Sequence, residues 1–248
     1  MKITLTHARK TYTTDLTNGI DLSSVLGKPG EELKAWGADD VDISPVERDG
    51  WIGSVKQGSP VNFFNIKFNP HGNGSHTETV GHISTEKESV NTYLKQHHLI
   101  AYVVHLSPKG RDGDEVISLE ELKQKQINWE GLDALIVRTG DYGPGHDFSN
   151  TNAPYFEPEL LAHARDFGIK HFLVDLPSVD REEDEGKLLA HHAFWNYPEN
   201  PRMDATISEL LRIPANVNEG LYLLNLQTAA FENDAAPCRP VIFRLEEV

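Results

Sequence analysis

Alternating apolar and polar positions recur along the chain and predict a series of short β-strands. The segments are rich in Val, Ile, Phe, Tyr and Thr, and most have Gly, Pro, Asn or Asp close by. Eight strands are predicted in this way, at residues 3–6, 10–16, 61–68, 101–106, 134–139, 170–175, 221–227 and 241–245.

Helical periodicity occurs between some of these strands. The segment SLEELKQKQ starts at Ser118, a candidate N-cap, and has Glu121 three residues later, which is the spacing of a capping box. The segment EPELLAHARDFG has Pro158 near its start and Gly168 at its end, which favours a helix between them. The segments EGKLLAHHAFW and MDATISELLR predict two further helices.

Strands dominate the first hundred residues, whereas helix alternates with strand from about residue 118 to residue 175. This order predicts an α/β fold with a mixed β-sheet and flanking helices, in a single domain over residues 1–248. The sequence has no Walker lysine loop and no G-x-S-x-G nucleophile elbow.

The net charge of −15, from 23 basic and 38 acidic residues, opposes binding to nucleic acids and to anionic membranes. Cys238 is the only cysteine, so an intrachain disulfide is impossible and a thiolate-rich zinc site is excluded. No apolar segment resembles a signal peptide or approaches a membrane-spanning length. We therefore expect a cytoplasmic protein with neither a nucleic acid nor a membrane as partner.

Three histidines and a carboxylate lie in the glycine-rich segment NPHGNGSHTETVGHIS, residues 69–84. If residues 75–79 are extended, alternation places His76 and Glu78 on one face, where a nitrogen and an oxygen ligand can converge on a divalent metal. His71 precedes a Gly-Asn-Gly turn that can return its ring toward His76, and His82 is a further ligand or a proton carrier. The alternative is that these histidines cap turns and bind backbone groups.

The segment GSHTETVGH, residues 74–82, resembles the signature H-x-G-T-H-x-D-x-P-x-H of the bacterial kynurenine formamidase, or cyclase, family of metal-dependent hydrolases. The later segments ALIVRTGDYG, FGIKHFLVDLPSVD, LLAHHAFW, NEGLYLLNL and APCRPVIFRL resemble later blocks of that family in the same order. The resemblance extends from about residue 60 to the C-terminus, and it implies the swivelling β/β/α fold of that family.

The resemblance implies a role for each matching position. The metal ligands would be His76, Glu78, His191 and Glu219, with His71 as a further candidate, and His82 would carry the proton. The resemblance also implies a divalent metal, Zn²⁺ or Mn²⁺, as one or two ions, and a homodimer or larger homo-oligomer.

Four positions depart from the family pattern. Gly72 occupies the position of the first signature histidine, Glu78 replaces an aspartate, and Val80 replaces a proline. The spacing from His191 to Glu219 is longer than the usual one, so residues 196–217 resemble an insertion that could cover the site. These departures predict a divergent branch whose substrate is not necessarily formylkynurenine.

The residues and the resemblance together predict a hydrolase that cleaves a small linear or cyclic amide with metal-activated water. Two alternatives are an ester or lactone hydrolase at the same site and a non-catalytic relative that binds a small ligand. Outside the signature, Asp175 and Asp180 lie at or just past the C-terminal end of a predicted strand and are candidates to line the site. Trp195 follows His191 by four residues and is therefore expected on the same helical face.

Overall fold

A nine-stranded mixed β-sheet organises the chain in a computed structural model that describes all 248 residues. The strands are β1 Lys2–His7, β2 Lys10–Asp15, β3 Ile20–Asp21, β4 Asp42–Pro45, β5 Glu47–Arg48, β6 Trp51–Ile52, β7 Phe64–Lys67, β8 His76–Glu78, β9 His98–His105, β10 Lys109–Arg111, β11 Asp114–Ile117, β12 Ala134–Arg138, β13 Tyr155–Phe156, β14 His171–Val174, β15 Thr206–Glu209, β16 Gly220–Asn225, β17 Ala235–Pro237, β18 Val241–Arg244 and β19 Glu246–Glu247. The helices are α1 Val90–Tyr93, α2 Leu119–Gln124, α3 Pro158–Asp166 and α4 Leu189–Trp195, with 3₁₀ turns at Val55–Gln57 and Val80–His82.

The strand order in the main sheet is β17-β8-β15-β14-β12-β9-β16-β18-β3. The four strands β15, β14, β12 and β9 are mutually parallel, and the strands on both sides of them pair antiparallel. Strands β12 and β14 are buried on both faces and are apolar except for Arg138 at the end of β12 and His171 at the start of β14. The predicted α/β class with a mixed sheet is confirmed.

Three of the four predicted helices form. The side chain of Ser118 accepts a hydrogen bond from the backbone N–H of Glu121 at the start of α2. The carboxylate of Glu121 instead accepts from the backbone N–H of Ser107, so only one half of the capping box is made. Helix α3 has Pro158 at its start, and Gly168 adopts a φ of 88° just past its end. This left-handed conformation is the one that glycine tolerates best at a helix C-terminus.

The fourth predicted helix, in the segment MDATISELLR, is wrong. Thr206–Glu209 forms strand β15, an interior strand that lies between β14 and β8. All four of its residues are buried, because the strand is covered on both faces. Backbone pairing with β14 and β8 overrides the helical tendency of this segment. Residues 206–209, within the segment expected to be an insertion, are therefore part of the main sheet.

All eight predicted strands form, with ends that shift by up to three residues. The strand predicted at residues 61–68 forms as β7, but it pairs only with β4 in a separate two-stranded sheet. None of the helices combines the length and the apolar character needed to cross a membrane.

Candidate metal centre

Strands β8 and β15 position three of the clustered side chains on one face of the sheet. His76 lies opposite Glu209 in the antiparallel register, and Glu78 lies opposite Ile207. Directly opposed residues share a face, as do positions two apart, so His76, Glu78 and Glu209 point to the same side. Thr77 and Ser208 occupy the other face, where their hydroxyl oxygens are 2.7 Å apart. The predicted alternation of His76 and Glu78 against Thr77 is confirmed.

Helix α4 brings His191 onto this cluster from above the sheet. Its Nε2 lies 3.2 Å from Glu78 Oε1 and 3.8 Å from Glu209 Oε1. Its Nδ1 lies 2.6 Å from Asp180 Oδ2, and that carboxylate also accepts from the backbone N–H groups of Ala190 and His191. Asp180 therefore fixes both the start of the helix and the orientation of the imidazole. Trp195 packs beneath His191, with ring centroids 5.3 Å apart.

The glycine-rich turn places His71 on the open side of the cluster. Its Nδ1 is 3.1 Å from Glu78 Oε2, and its Nε2 is 2.8 Å from Asp234 Oδ2. The ring of His82 lies 4.4 Å from the ring of His71, measured between centroids. Its Nδ1 is 3.6 Å from Glu78 Oε2 and 3.7 Å from Asp234 Oδ2.

Two buried polar atoms at the centre of the cluster lack a hydrogen-bond partner. They are Nε2 of His76 and Oε2 of Glu78, both in residues with no exposed surface. The 3.1 Å contact of Glu78 Oε2 with His71 does not have hydrogen-bond geometry. Buried polar atoms without partners are costly unless a ligand or ion satisfies them. Imidazole nitrogens with carboxylate oxygens are also a donor set that suits Zn²⁺ and related divalent ions, so these residues fit a metal.

Burial and charge act in opposite directions on the ionisable groups of the cluster. Burial raises the pKa of Glu78, but the charge of His82 and the hydrogen bond from His191 outweigh it and hold that pKa well below its usual range. Burial likewise lowers the pKa of His191, but its contacts with Asp180 and Glu78 raise it well above the usual range. Burial lowers the pKa of His71, but its hydrogen bond to Asp234 and the nearby charge of Glu78 outweigh burial and raise that pKa to about 10. The carboxylates of Glu78, Asp180 and Asp234 therefore favour positive charge at this site, as a bound cation would supply.

A cavity of about 350 Å³ opens onto the cluster. Its lining includes His71, His82, His191 and Glu209 together with the exposed indole of Trp36. Trp36 has a φ of 62°, which is uncommon for a bulky residue. Hydrogen bonds on both sides, Ala35 N to Gly72 O and Gly37 N to Ser149 Oγ, hold this conformation. A larger cavity of about 910 Å³ lies elsewhere, beside Asp175 and Cys238.

The structure brings together five of the six predicted site residues: His71, His76, Glu78, His82 and His191. It does not bring Glu219 to them. The carboxylate of Glu219 accepts from Lys125 Nζ and from the backbone N–H of His105, both at 2.8 Å, just before strand β16. Strand β16 lies four strands away from β15, which carries Glu209. The expectation that Glu219 joins the cluster is corrected; the carboxylate of Glu209 lies there instead, 3.5 Å from His76 Nε2 and 3.8 Å from His191 Nε2.

Three residues at the site were missed or only partly anticipated from sequence. Glu209 was not predicted as a site residue because its segment was interpreted as a helix. Asp234 lies in the loop before β17 and belongs to no recognisable motif. Trp36 gave no signal, since its role depends on a backbone conformation. Of the two aspartates suggested to line the site, Asp180 contacts His191, whereas Asp175 binds Thr139 and Gly140 at a distance from the cluster.

The fold and the site define an α/β protein with a buried histidine–carboxylate cluster of metal-binding type. The model of the family described as "Putative cyclase" matches residues 4–181, and the chain belongs to this family.

Two curated relatives are kynurenine formamidases. The chain is 29% identical to that of Bacillus mycoides strain KBAB4 over 131 residues, which cover 52% of this chain and 59% of the relative. It is 28% identical to that of Geobacillus thermodenitrificans strain NG80-2 over 220 residues, which cover 88% of each chain. The chain thus spans less than two thirds of the first relative's length.

The fold is similar to that of an isatin hydrolase bound to the product analogue thioisatinate. The TM-score is 0.61 with 14% sequence identity, covering 92% of this chain and 93% of that chain.

Proposed function

We propose that this protein is a metal-dependent hydrolase that cleaves the C–N bond of a small linear or cyclic amide. The observation that carries the proposal is the pair of unpartnered buried atoms, His76 Nε2 and Glu78 Oε2, inside a cluster of imidazoles and carboxylates. The two kynurenine formamidases and the isatin hydrolase fold described above support an amide as substrate.

Five residues would hold the metal: His71, His76, Glu78, His191 and Glu209. Glu78 directs Oε1 toward His191 and Oε2 toward His71, so a carboxylate oxygen would be available beside each of these two histidines. We therefore propose one or two ions, with Zn²⁺ and Mn²⁺ as the candidates that this mixed donor set suits. When bound, such an ion supplies an acidified water and polarises a carbonyl oxygen.

The protein's own groups orient the ligands and move the proton. Asp180 and Asp234 accept from ring nitrogens of His191 and His71, which orients each ring and directs its other nitrogen toward Glu78, where it would bind the metal. His82 is partly exposed in the cavity and is not held by a short hydrogen bond. These features support His82 as the residue that would carry a proton from the attacking water to the leaving nitrogen.

The exposed indole of Trp36 at the cavity mouth gives a flat apolar surface beside an otherwise polar set of groups. A planar or aromatic amide would stack on it. We further propose that the 248 residues act as one catalytic unit in the cytoplasm, on a small-molecule substrate, as a homodimer or larger homo-oligomer.

Matched substitutions at two glutamates test the metal centre. Glu209→Gln removes a charge from the cluster, whereas Glu219→Gln makes the same change at the position that resembles the family's ligand but lies outside the cluster. Metal content is measured by plasma mass spectrometry on untagged protein after incubation with zinc or manganese. Turnover is measured with formylkynurenine and with a cyclic amide.

We expect the unchanged protein and Glu219→Gln to retain metal and activity, and Glu209→Gln to lose most of both. If the unchanged protein binds no zinc or manganese, the hydrolase proposal fails. If it binds metal and cleaves esters or lactones but no amide, the proposed metal centre is supported and the proposed substrate class is wrong.

A further inference from the structure

Two carboxylates line the cavity of the metal centre without belonging to the metal cluster. They are those of Glu182 and Asp184, in the loop of residues 181–188 ahead of helix α4. The cavity opens onto the cluster in which His76 Nε2 and Glu78 Oε2 lack partners, which points to a ligand independently of this loop. At about 350 Å³ the cavity is at the small end of ligand pockets, so a ligand that reaches the cluster also contacts the cavity wall.

Backbone groups hold the carboxylate of Glu182 in a fixed position. Its Oε1 accepts from the backbone N–H of Asn150 at 2.6 Å, and its Oε2 accepts from that of Asn152 at 2.8 Å. A carboxylate has about four acceptor positions, so Glu182 keeps free lone pairs for a ligand after these two bonds are made. The carboxylate is therefore oriented in advance and still able to bind.

The charge of the two carboxylates is not neutralised by a basic side chain. The arginine that lines the same cavity, Arg181, pairs instead with Asp114, whose two oxygens lie 3.0 and 3.1 Å from its nitrogens. Its third nitrogen donates to the backbone carbonyl of Glu183. No salt bridge includes Glu182 or Asp184. The wall of the cavity that these residues form is therefore negative.

A bound metal would not reverse this charge. The cluster itself contains the carboxylates of Glu78, Asp180, Glu209 and Asp234. These four negative charges balance the charge of two divalent ions and exceed that of one. The charge that a substrate meets at the wall is therefore set by the loop, and above all by Glu182.

An acidic wall beside an exposed indole suits an ammonium group. A positively charged N–H group forms short, strong hydrogen bonds with a carboxylate, and the face of an indole also attracts a cation. Trp36, which is 44% exposed, lines the same cavity as Glu182. A carboxylate on the substrate would instead be repelled by Glu182 at short range.

We propose that Glu182 selects amides that carry a positively charged amino group over neutral amides and over amides that carry a carboxylate. This inference rests on the proposed function and narrows its substrate class. Glu182 contacts the substituent of the substrate and takes no part in the cleavage of the C–N bond.

Three N-phenylformamides with different para substituents test this selection, because they differ in the charge of one group. The substituent is aminomethyl, which is positively charged at neutral pH, methyl, which is neutral, or carboxylate. One water cleaves each amide to formic acid and the arylamine. We would measure kcat/KM with zinc- or manganese-loaded protein for the unchanged chain, Glu182→Gln and Glu183→Gln. Glu183 is the matched control, since it belongs to the same loop but lines a different cavity.

We expect the unchanged protein to prefer the aminomethyl compound to the methyl compound by about 10-fold in kcat/KM, and to disfavour the carboxylate by a similar factor. Glu182→Gln should reduce both preferences to about 3-fold or less, mainly through KM, while Glu183→Gln keeps them. Added salt should weaken the preferences, because it screens a partly exposed charge. A purely structural role of Glu182 would instead lower kcat/KM for all three compounds by one factor.

The inference is overturned if the unchanged protein does not prefer the aminomethyl compound, if Glu182→Gln keeps the preference, or if both variants lose it alike. Cleavage of all three compounds without a charge preference would support the proposed function and refute only the role of Glu182. Absence of cleavage by metal-loaded protein would count against the proposed function. Calorimetry of the three compounds then decides the role of Glu182, since equal binding of all three refutes it and tighter binding of the aminomethyl compound supports it.

Discussion

Substitution of Asp180 by asparagine tests whether the carboxylate behind His191 controls metal affinity. Asp180 is buried and makes three hydrogen bonds, to Nδ1 of His191 at 2.6 Å and to the backbone N–H groups of Ala190 and His191 at 2.7 and 3.1 Å. Asparagine has nearly the same size and keeps one acceptor oxygen. The substitution therefore removes the charge and weakens the orientation of His191 without creating a cavity.

The expected magnitude follows from the bond that is lost. A hydrogen bond to a charged group contributes about 1.5–3 kcal/mol, and loss of a carboxylate behind a metal-binding histidine weakens metal affinity by about 10–100-fold. We expect Asp180→Asn to weaken zinc or manganese binding by a factor in this range. The measurement is competition with a chelator of known affinity, with turnover recorded at saturating metal.

Asp184→Asn is the matched control. Asp184 also accepts from backbone N–H groups ahead of α4, those of Gly186 and Leu188, but it has no hydrogen bond with His191. If Asp184→Asn weakens metal binding as much as Asp180→Asn, the effect comes from the start of the helix and not from the imidazole. If Asp180→Asn binds metal as tightly as the unchanged protein, the positioning role of Asp180 is refuted.

Three further predictions concern protons and substrate. Metal binding at neutral pH should release about one to two protons, because His71 and His191 have raised pKa values and must lose a proton to bind metal. Calorimetry in buffers of different ionisation enthalpy measures the number of protons released, and a titration without proton release would contradict the prediction. Burial lowers the pKa of His171 to about 4, so the unfolded chain binds the extra proton first and the free energy of unfolding falls as pH drops from about 6.5 to 4, by at most about 3 kcal/mol. His171→Asn should reduce that slope by about one proton in urea unfolding measured across this window, and an unchanged slope would count against the prediction. Trp36→Ala should raise KM for an aromatic amide by about 10-fold with a smaller change in kcat, and an equal rise in KM for a non-aromatic amide would argue against stacking.

Local sequence was sufficient for features that depend on near neighbours. Alternation placed His76 and Glu78 on one face, and the strand forms as β8. The spacing of apolar residues predicted α2, α3 and α4, and it also placed Trp195 on the same helical face as His191, where the two rings are in contact. The resemblance of the ordered segments to one family indicated which of these residues are expected to bind metal, and periodicity alone could not give that assignment.

The tertiary structure decided which carboxylates reach the cluster. Residues 203–212 have a composition that suits a helix, yet Thr206–Glu209 is a strand because β14 and β8 both pair with it. This pairing joins segments about 35 and 130 residues apart, as with Phe172 and Ile207 or Thr77 and Ser208. Strand preference of this kind comes from neighbours in space, so it cannot be read from the segment itself.

The same reason explains the remaining residues of the site. Asp234 meets His71 across 163 positions in sequence, and Trp36 faces the cavity only because its backbone is held at positive φ. The sequence by itself was sufficient to predict the clustered histidines, Glu78 and most of the secondary structure around them. Long-range strand pairing and loop closure determined Glu209 in place of Glu219, since contacts between distant segments exist only once the chain has folded.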